Sequence, residues 1–210
     1  MKPTRVVVRI EDATLSRPLE RAVAAFAGVE ASDVVIDSSC PDCGRPHGKP
    51  RILSPTAHGG QPLVVSKSSA GGRVATAVAE GPRDIGVDLE SVVAVSRARV
   101  DEVAFSVAER DLIDDESPLS REALRTRLWS RKEAYLKATG QGVRLDLVRV
   151  DLAQGTPVPA MIVDVPWDED SMMLSLAVLG DGPVTVELID GSGTAADVET
   201  ISGEAREDAC

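Results

Sequence analysis

Leu128-Trp129-Ser130-Arg131-Lys132-Glu133-Ala134-Tyr135-Leu136-Lys137-Ala138-Thr139-Gly140-Gln141-Gly142 reads as the end of an amphipathic helix. Trp129, Glu133 and Lys137 stand at i, i+4 and i+8, so they project from roughly one side. Gly140 and Gly142 follow at the place where a helix stops, because glycine takes a positive φ freely. A helix that buries an indole beside a carboxylate and an ammonium can build a polar site on a packed surface. Upstream, Gly86-Val87-Asp88-Leu89-Glu90 reads as a strand, with Val87 and Leu89 on one face and Asp88 and Glu90 on the other. Asp88, Glu90 and Glu133 then form a hard-oxygen set, which suits Mg²⁺ binding a substrate phosphate.

Together the two motifs resemble the 4′-phosphopantetheinyl transferase family, in the larger form that activates carrier proteins of peptide and polyketide synthases. Its hallmarks are a G-(I/V)-D-(I/L/V)-E strand and a later W-x-x-K-E-(A/S)-x-x-K-x-x-G-x-G helix end. Every hallmark position is filled, from Gly86 to Glu90 and from Trp129 to Gly142. A third family motif, C-x-x-C-G-x-x-H-G-K-P, is matched from Cys40 to Pro50. The resemblance implies that Gly48, Lys49 and Pro50 line the nucleotide end of coenzyme A, with Lys49 offered to a phosphate. The family's Ser-His-Ser stretch, which contacts the coenzyme's phosphates, stands here as Ser66-Lys67-Ser68. Lys67 replaces the histidine and keeps positive charge near neutrality.

On this resemblance the expected activity is that of a holo-[acyl-carrier-protein] synthase. Phosphopantetheine passes from coenzyme A to a serine of an acyl or peptidyl carrier protein, and 3′,5′-ADP leaves. Mg²⁺ on Asp88, Glu90 and Glu133 would clamp the pyrophosphate, with Glu90 reaching it directly or through water. Glu133 is expected to take the serine proton and Lys137 to stabilise phosphate charge. Lys132 points elsewhere on the helix and is expected along the coenzyme or at the surface. Trp129 is expected to anchor the helix in the core.

The same residues admit rivals. Cys40 and Cys43, with His47 and His58, offer four ligands to a zinc-stabilised interaction protein. A redox Cys-x-x-Cys pair is another reading, though no strand-then-helix context surrounds it. The missing histidine also leaves room for a coenzyme A or nucleotide-binding module without transfer activity.

Composition places the chain among ordinary globular proteins rather than disordered ones: 43% hydrophobic and 27% charged residues among 210. Aromatics are only 2%, so Val, Leu, Ala and Ile must fill the core. A net charge of −11 argues against nucleic-acid binding. No apolar run approaches a membrane span, and the start, Met1 to Ile10, is too short for a signal peptide. A cytoplasmic monomer is expected. Arg121, Arg125, Arg127, Arg131, Lys132 and Lys137 crowd one helix, and the resemblance implies docking of an acidic carrier protein along residues 103–127.

The patterning predicts strands over 4–10, 34–36, 63–66, 73–79, 85–90, 145–152, 160–165, 172–179 and 184–189. It predicts helices over 15–28, 97–108, 108–115 and 120–139, the last capped by Ser120, with a structured loop over 40–50. From Gly191 the chain is small, polar and acidic, which predicts a disordered tail over 191–210. The fold class is α+β, with an N-terminal subdomain over 1–95, a C-terminal one over 96–190 and the site between them. The resemblance implies that these are similar halves in a pseudo-twofold arrangement, with coenzyme A in the cleft.

Overall fold

The computed structural model describes residues 3–57, 59–142, 145–153, 159–167, 169, 171–191 and 195–201, the last as backbone. Alternation along the first segment sets the larger of two sheets. In β1 (Thr4–Asp12), Val6, Val8 and Ile10 fall on one face and are buried. Further strands are β2 (Val35–Asp37), β3 (Arg51–Ser54), β4 (Leu63–Ala70), β5 (Arg73–Glu80), β9 (Val184–Ile189) and β10 (Ala195–Ile201). The sheet order is β10-β9-β1-β5-β4-β3-β2, antiparallel throughout except that β1 and β9 run parallel.

Three strands form the second sheet: β6 (Ile85–Ser91), β7 (Ala160–Asp164) and β8 (Met172–Leu179), in the antiparallel order β6-β8-β7. Ile85, Val87 and Leu89 of β6 join Leu174, Leu176 and Val178 of β8 to meet Val6, Val8 and Ile10 in one core. Helix α1 (Pro18–Ala27) covers the outer face of the large sheet, where Ala22 and Val23 pack on Leu63, Val65 and Val78. Helix α5 (Pro118–Thr139) covers the small sheet, with Ala134 and Ala138 against Ala177. The layers run α1, large sheet, small sheet, α5, which is a mixed α+β fold.

Each sheet draws strands from both sides of residue 95, so neither belongs to one stretch of chain. A common pattern recurs in them. Opening strand, helix and returning hairpin give β1-β5-β4 in one sheet and β6-β8-β7 in the other.

Four sequence expectations need correction. Residues 145–152 form no strand but a 3-10 turn at Leu147–Arg149. Their polar groups find side chains instead of a ladder: Asp146 accepts from Val148 N, Glu109 from Leu152 N, and Lys132 donates to Leu147 O. The single helix expected over 97–108 is broken: α2 (Val92–Arg97) ends where it should begin and α3 (Asp101–Ala104) is one turn long, whereas the helix expected over 108–115 stands as α4 (Val107–Asp115), opened by a Ser106/Glu109 capping box. Helix α5 begins earlier than expected, capped by Ser117 with Pro118 in its first turn, so Ser120 lies inside it. The tail expected to be disordered contains β10, where Val, Thr and Ile favour pairing with the open edge of β9. No helix among the described residues is long and apolar enough to cross a membrane.

Candidate functional site

Gly86 decides how α5 lies on β6. A Cβ there would stand 2.0 Å from Ala134 O and 2.4 Å from Ala138 N, so glycine alone lets the helix backbone rest on the strand. Asp88 and Glu90 share the face of Gly86 and therefore look at the helix. Each meets it. Lys137 Nζ donates to Asp88 Oδ1 at 2.6 Å, Ser130 Oγ to Asp88 O at 3.3 Å, and Trp129 Nε1 to Glu90 Oε1 at 3.0 Å. The row Trp129, Glu133, Lys137 thus faces the carboxylates of β6, as its spacing predicts. Trp129 does more than anchor the helix: half-buried, it holds Glu90 by its indole N–H.

From the other side β4 approaches the open edge of β6. Ser66 Oγ accepts from Val87 N at 3.0 Å, and Ser68 Oγ donates to Asp88 Oδ1 at 3.0 Å. Lys137 also donates to Ser68 Oγ at 2.8 Å. Ser66, Lys67 and Ser68 lie within strand β4, not in a loop after it, so Lys67 points away from the two buried serines.

Charge is poorly balanced here. Asp88 is 1% exposed, and its Oδ2 has no hydrogen-bond partner. Burial pushes the Glu133 carboxyl above its ordinary value, the Asp88 charge adds to this, and Lys137 opposes it. Glu90 is raised by burial and then by Asp88, against the Trp129 hydrogen bond. An orphaned oxygen on the buried Asp88, beside two glutamates whose charge it disfavours, is chemistry that suits a hard divalent cation, and Asp88, Glu133 and Glu90 are the residues that could hold one. Their oxygens are not gathered as closely as the ligand atoms of Cys40, Cys43 and His47, which all lie within 4.8 Å of one another.

Beside these acids opens a cleft of about 660 Å³. Gly48, Lys49 and Pro50 line it with Ser66, Lys67, Glu133, Lys137, Gly140 and Gly142. Both of those glycines have positive φ, and Gly140 closes α5 with its N–H on Leu136 O. Lys49 lies against Gly140 and reaches Ala138 O at 2.5 Å and Asp84 at 2.8 Å, a cation at a helix C-terminus. A smaller cavity of about 320 Å³, lined by Ile10, Asp12, Arg73 and Trp167 among others, contains none of the motif residues.

Some expected residues lie elsewhere. Lys132 is fully buried on another side of α5, bound to Glu109 at 2.5 Å, Ala104 O at 2.6 Å and Leu147 O at 2.9 Å. It holds the α4 region to α5 and does not line the cleft. Burial lowers its pKa, against the Glu109 charge. Ser68 is committed to Asp88 and Lys137 and is not a cleft residue. The crowd of basic residues is largely consumed within the fold: Arg125 binds Val95 O, Ala98 O and Asp101, Arg131 forks onto Asp164, and Arg121 donates to Asp114 O.

The fold brings further residues to the site. Asp84 partners Lys49, Ser130 braces the Asp88 backbone, and Leu136 and Gln141 line the cleft. Gln141 had a visible signal, standing between two motif glycines. Asp84 had none, because its partner lies far away in sequence. His58 lies outside the described residues.

A search of curated proteins returns no match. Among solved structures, the chain is similar to a holo-(acyl-carrier-protein) synthase from Bacillus anthracis in complex with CoA (3′,5′-ADP). Identity is 14% and the TM-score 0.40, over 47% of this chain and 96% of that one. Residues 84–163 match the family model of the 4′-phosphopantetheinyl transferase superfamily. That stretch is less than half of the chain, and it contains Asp88, Glu90, Trp129, Glu133 and Lys137.

Proposed function

We propose that the protein transfers the 4′-phosphopantetheine group of coenzyme A to a serine hydroxyl of an acyl or peptidyl carrier protein, releasing 3′,5′-ADP. One observation carries this reading: a single cleft gathers Lys49, Lys67, Glu133 and Lys137 from three separate motifs, beside the buried Asp88. The serine oxygen forms a bond to the β-phosphorus of coenzyme A as the bond to the bridging oxygen of 3′,5′-ADP breaks. Glu133 takes the serine proton; its raised pKa makes it a stronger base than an ordinary glutamate. Lys137 is held by Asp88 and Ser68 at the cleft wall, where its charge offsets that growing on the phosphate oxygens. Lys49 and Lys67 offer further positive charge to the coenzyme's phosphates. Mg²⁺, held by Asp88 and Glu133 with Glu90 directly or through water, would supply positive charge to the pyrophosphate when bound.

The shared β1-β5-β4 and β6-β8-β7 patterns support two related halves, as in the larger type acting in peptide and polyketide synthesis. The carrier protein docks along residues 103–127. Val103, Val107, Leu112 and Leu119 are exposed there, so the contact is apolar rather than chiefly basic. The enzyme works in the cytoplasm as a monomer.

The test is to incubate the protein with coenzyme A, Mg²⁺ and a panel of apo carrier proteins and weigh the products. One phosphopantetheine added to a carrier serine is the expected result. Coenzyme A binding without any mass gain across the panel would leave a binding module instead.

A further inference from the structure

The transfer reading uses the segment around Gly48 but not Cys40, Cys43 or His47. Their ligand atoms converge: all lie within 4.8 Å of one another, with Cys43 Sγ 3.0 Å from His47 Nε2. Both cysteines are free thiols. Tetrahedral zinc, with Zn–S near 2.3 Å and Zn–N near 2.0–2.1 Å, spaces its ligand atoms ~3.6–3.8 Å apart. Cys43 Sγ and His47 Nε2 stand closer than that and no pair of the three ligand atoms is more than 4.8 Å apart, so modest side-chain shifts would seat an ion.

Backbone geometry holds the three side chains in place. Gly44 N donates to Cys40 O and Cys40 N to Arg45 O, both at 2.8 Å, and His47 N donates to Arg45 O at 2.9 Å. Gly44, at φ 69, makes the reversal that returns the chain between them. Yet residues 41–47 are all exposed, so this loop buries almost nothing to offset the entropy of its ordering. A metal bond is the usual remedy where apolar burial is missing. Two thiolates and an imidazole are borderline-soft donors, which favour zinc over the hard cation suited to Asp88 and Glu133.

We propose that Cys40, Cys43 and His47 bind one Zn²⁺, with water in the fourth position, and that this ion fixes the loop forming one wall of the cleft. The loop runs directly into Gly48, whose Cα lies so close to Ser39 that a Cβ would sit 2.7 Å from its carbonyl oxygen. Lys49 follows, anchored on Ala138 O and Asp84. Ordering the loop therefore sets where the Gly48-Lys49-Pro50 wall stands. Binding releases the two thiol protons to solvent and involves no redox change.

Zinc content is measurable without any transfer assay, so this inference and the proposed activity fail separately. The full chain, grown in zinc-supplemented medium and freed of any affinity tag, should carry about one zinc per chain by elemental mass spectrometry. Cys43→Ser and His47→Asn should fall to background. Cobalt-loaded protein should show a thiolate-to-cobalt charge-transfer band that Cys43→Ser loses. Should the variants fold poorly, titrating the wild-type thiols with a mercurial reagent should release the zinc while circular dichroism reports on the fold. The proposal is overturned by tag-free protein that neither carries nor takes up zinc, by both variants keeping it, or by a Cys40–Cys43 disulfide in the purified chain.

Discussion

Asp88 has one carboxylate oxygen bound by Ser68 and Lys137 and the other without a hydrogen-bond partner. Asp88→Asn keeps its shape and removes its charge. It should lower the transfer rate at least ~10²-fold, the scale of a single electrostatic group in a catalytic site. Turnover near wild type at low Mg²⁺ would remove Asp88 from the machinery. Glu133 permits a pH test. Its pKa in the folded protein is raised above the ordinary value near 4.5, so the protonated form favours folding. That stability is fully present below about 4.5 and is lost as pH rises through the folded pKa. Glu133→Gln should therefore raise the melting temperature at pH 8, with the gain shrinking toward pH 4.5; a pH-independent gain would point to packing. Mg²⁺ should stabilise the wild type at pH 8 more than this variant. Lys67 is exposed on the cleft, so Lys67→Ala should raise the KM for coenzyme A by only about tenfold, the low end for a charge-assisted hydrogen bond. Lys67→His should restore more of this at pH 6 than at pH 8, because imidazole gains charge as pH falls. Asp88, Glu90, Glu133 and Lys137 were legible because periods of 2 and 3.6 put them on facing surfaces. Lys132 was not. It stands in the same motif, but its partner Glu109 lies 23 positions away and only the packed fold makes the pair visible.

Among the elements, α5 organises the site through its backbone contact with β6. Gly86→Ala forces a Cβ into the Ala134 carbonyl, so the helix must lift or the strand bend. A loss of at least ~1–3 kcal/mol is expected, the ordinary range for overpacking, together with loss of transfer, because Asp88 and Lys137 separate as the helix lifts. Lys132→Met tests the other side of the same helix. Both members of its ion pair are fully buried, and leaving Glu109 without its partner should cost ~3–5 kcal/mol in chemical denaturation. The folded fraction should keep the wild-type KM for coenzyme A, whereas a raised KM would return Lys132 to the cleft. Residues 145–152 show why alternation misled in this region. Their apolar pattern suits a strand, yet Glu109, Lys132 and Asp146 take up their backbone polar groups one by one. Such side-chain capture from distant elements leaves no periodic trace. Ser117 in place of Ser120 as the cap is a smaller case: both are serines, and Pro118 between them marks the true start.

At the scale of the molecule, the α+β class and nearly every strand of the cores were readable, because their apolar residues alternate cleanly. Strand order was not, since register and partner choice depend on which edges remain open. The final strand illustrates this. β10 pairs with β9 although its segment looked too polar to order. Ending the chain before Ala195 should therefore expose β9 as an edge, lower the melting temperature and promote aggregation; an unchanged melting temperature and solubility would make β10 dispensable. The parallel seam between β1 and β9 reaches further still. Val6 pairs with Val186, and Arg5 bonds Glu187 at 2.8 Å, so almost the whole chain lies between two adjacent strands. During synthesis β1 emerges long before its neighbour, with about 170 residues between them. At ~5–20 residues per second, roughly ten to forty seconds pass with that edge unoccupied on the ribosome. A nascent chain stalled before Val184 should be protease-sensitive and should recruit a strand-binding chaperone, a dependence that ends when β9 docks.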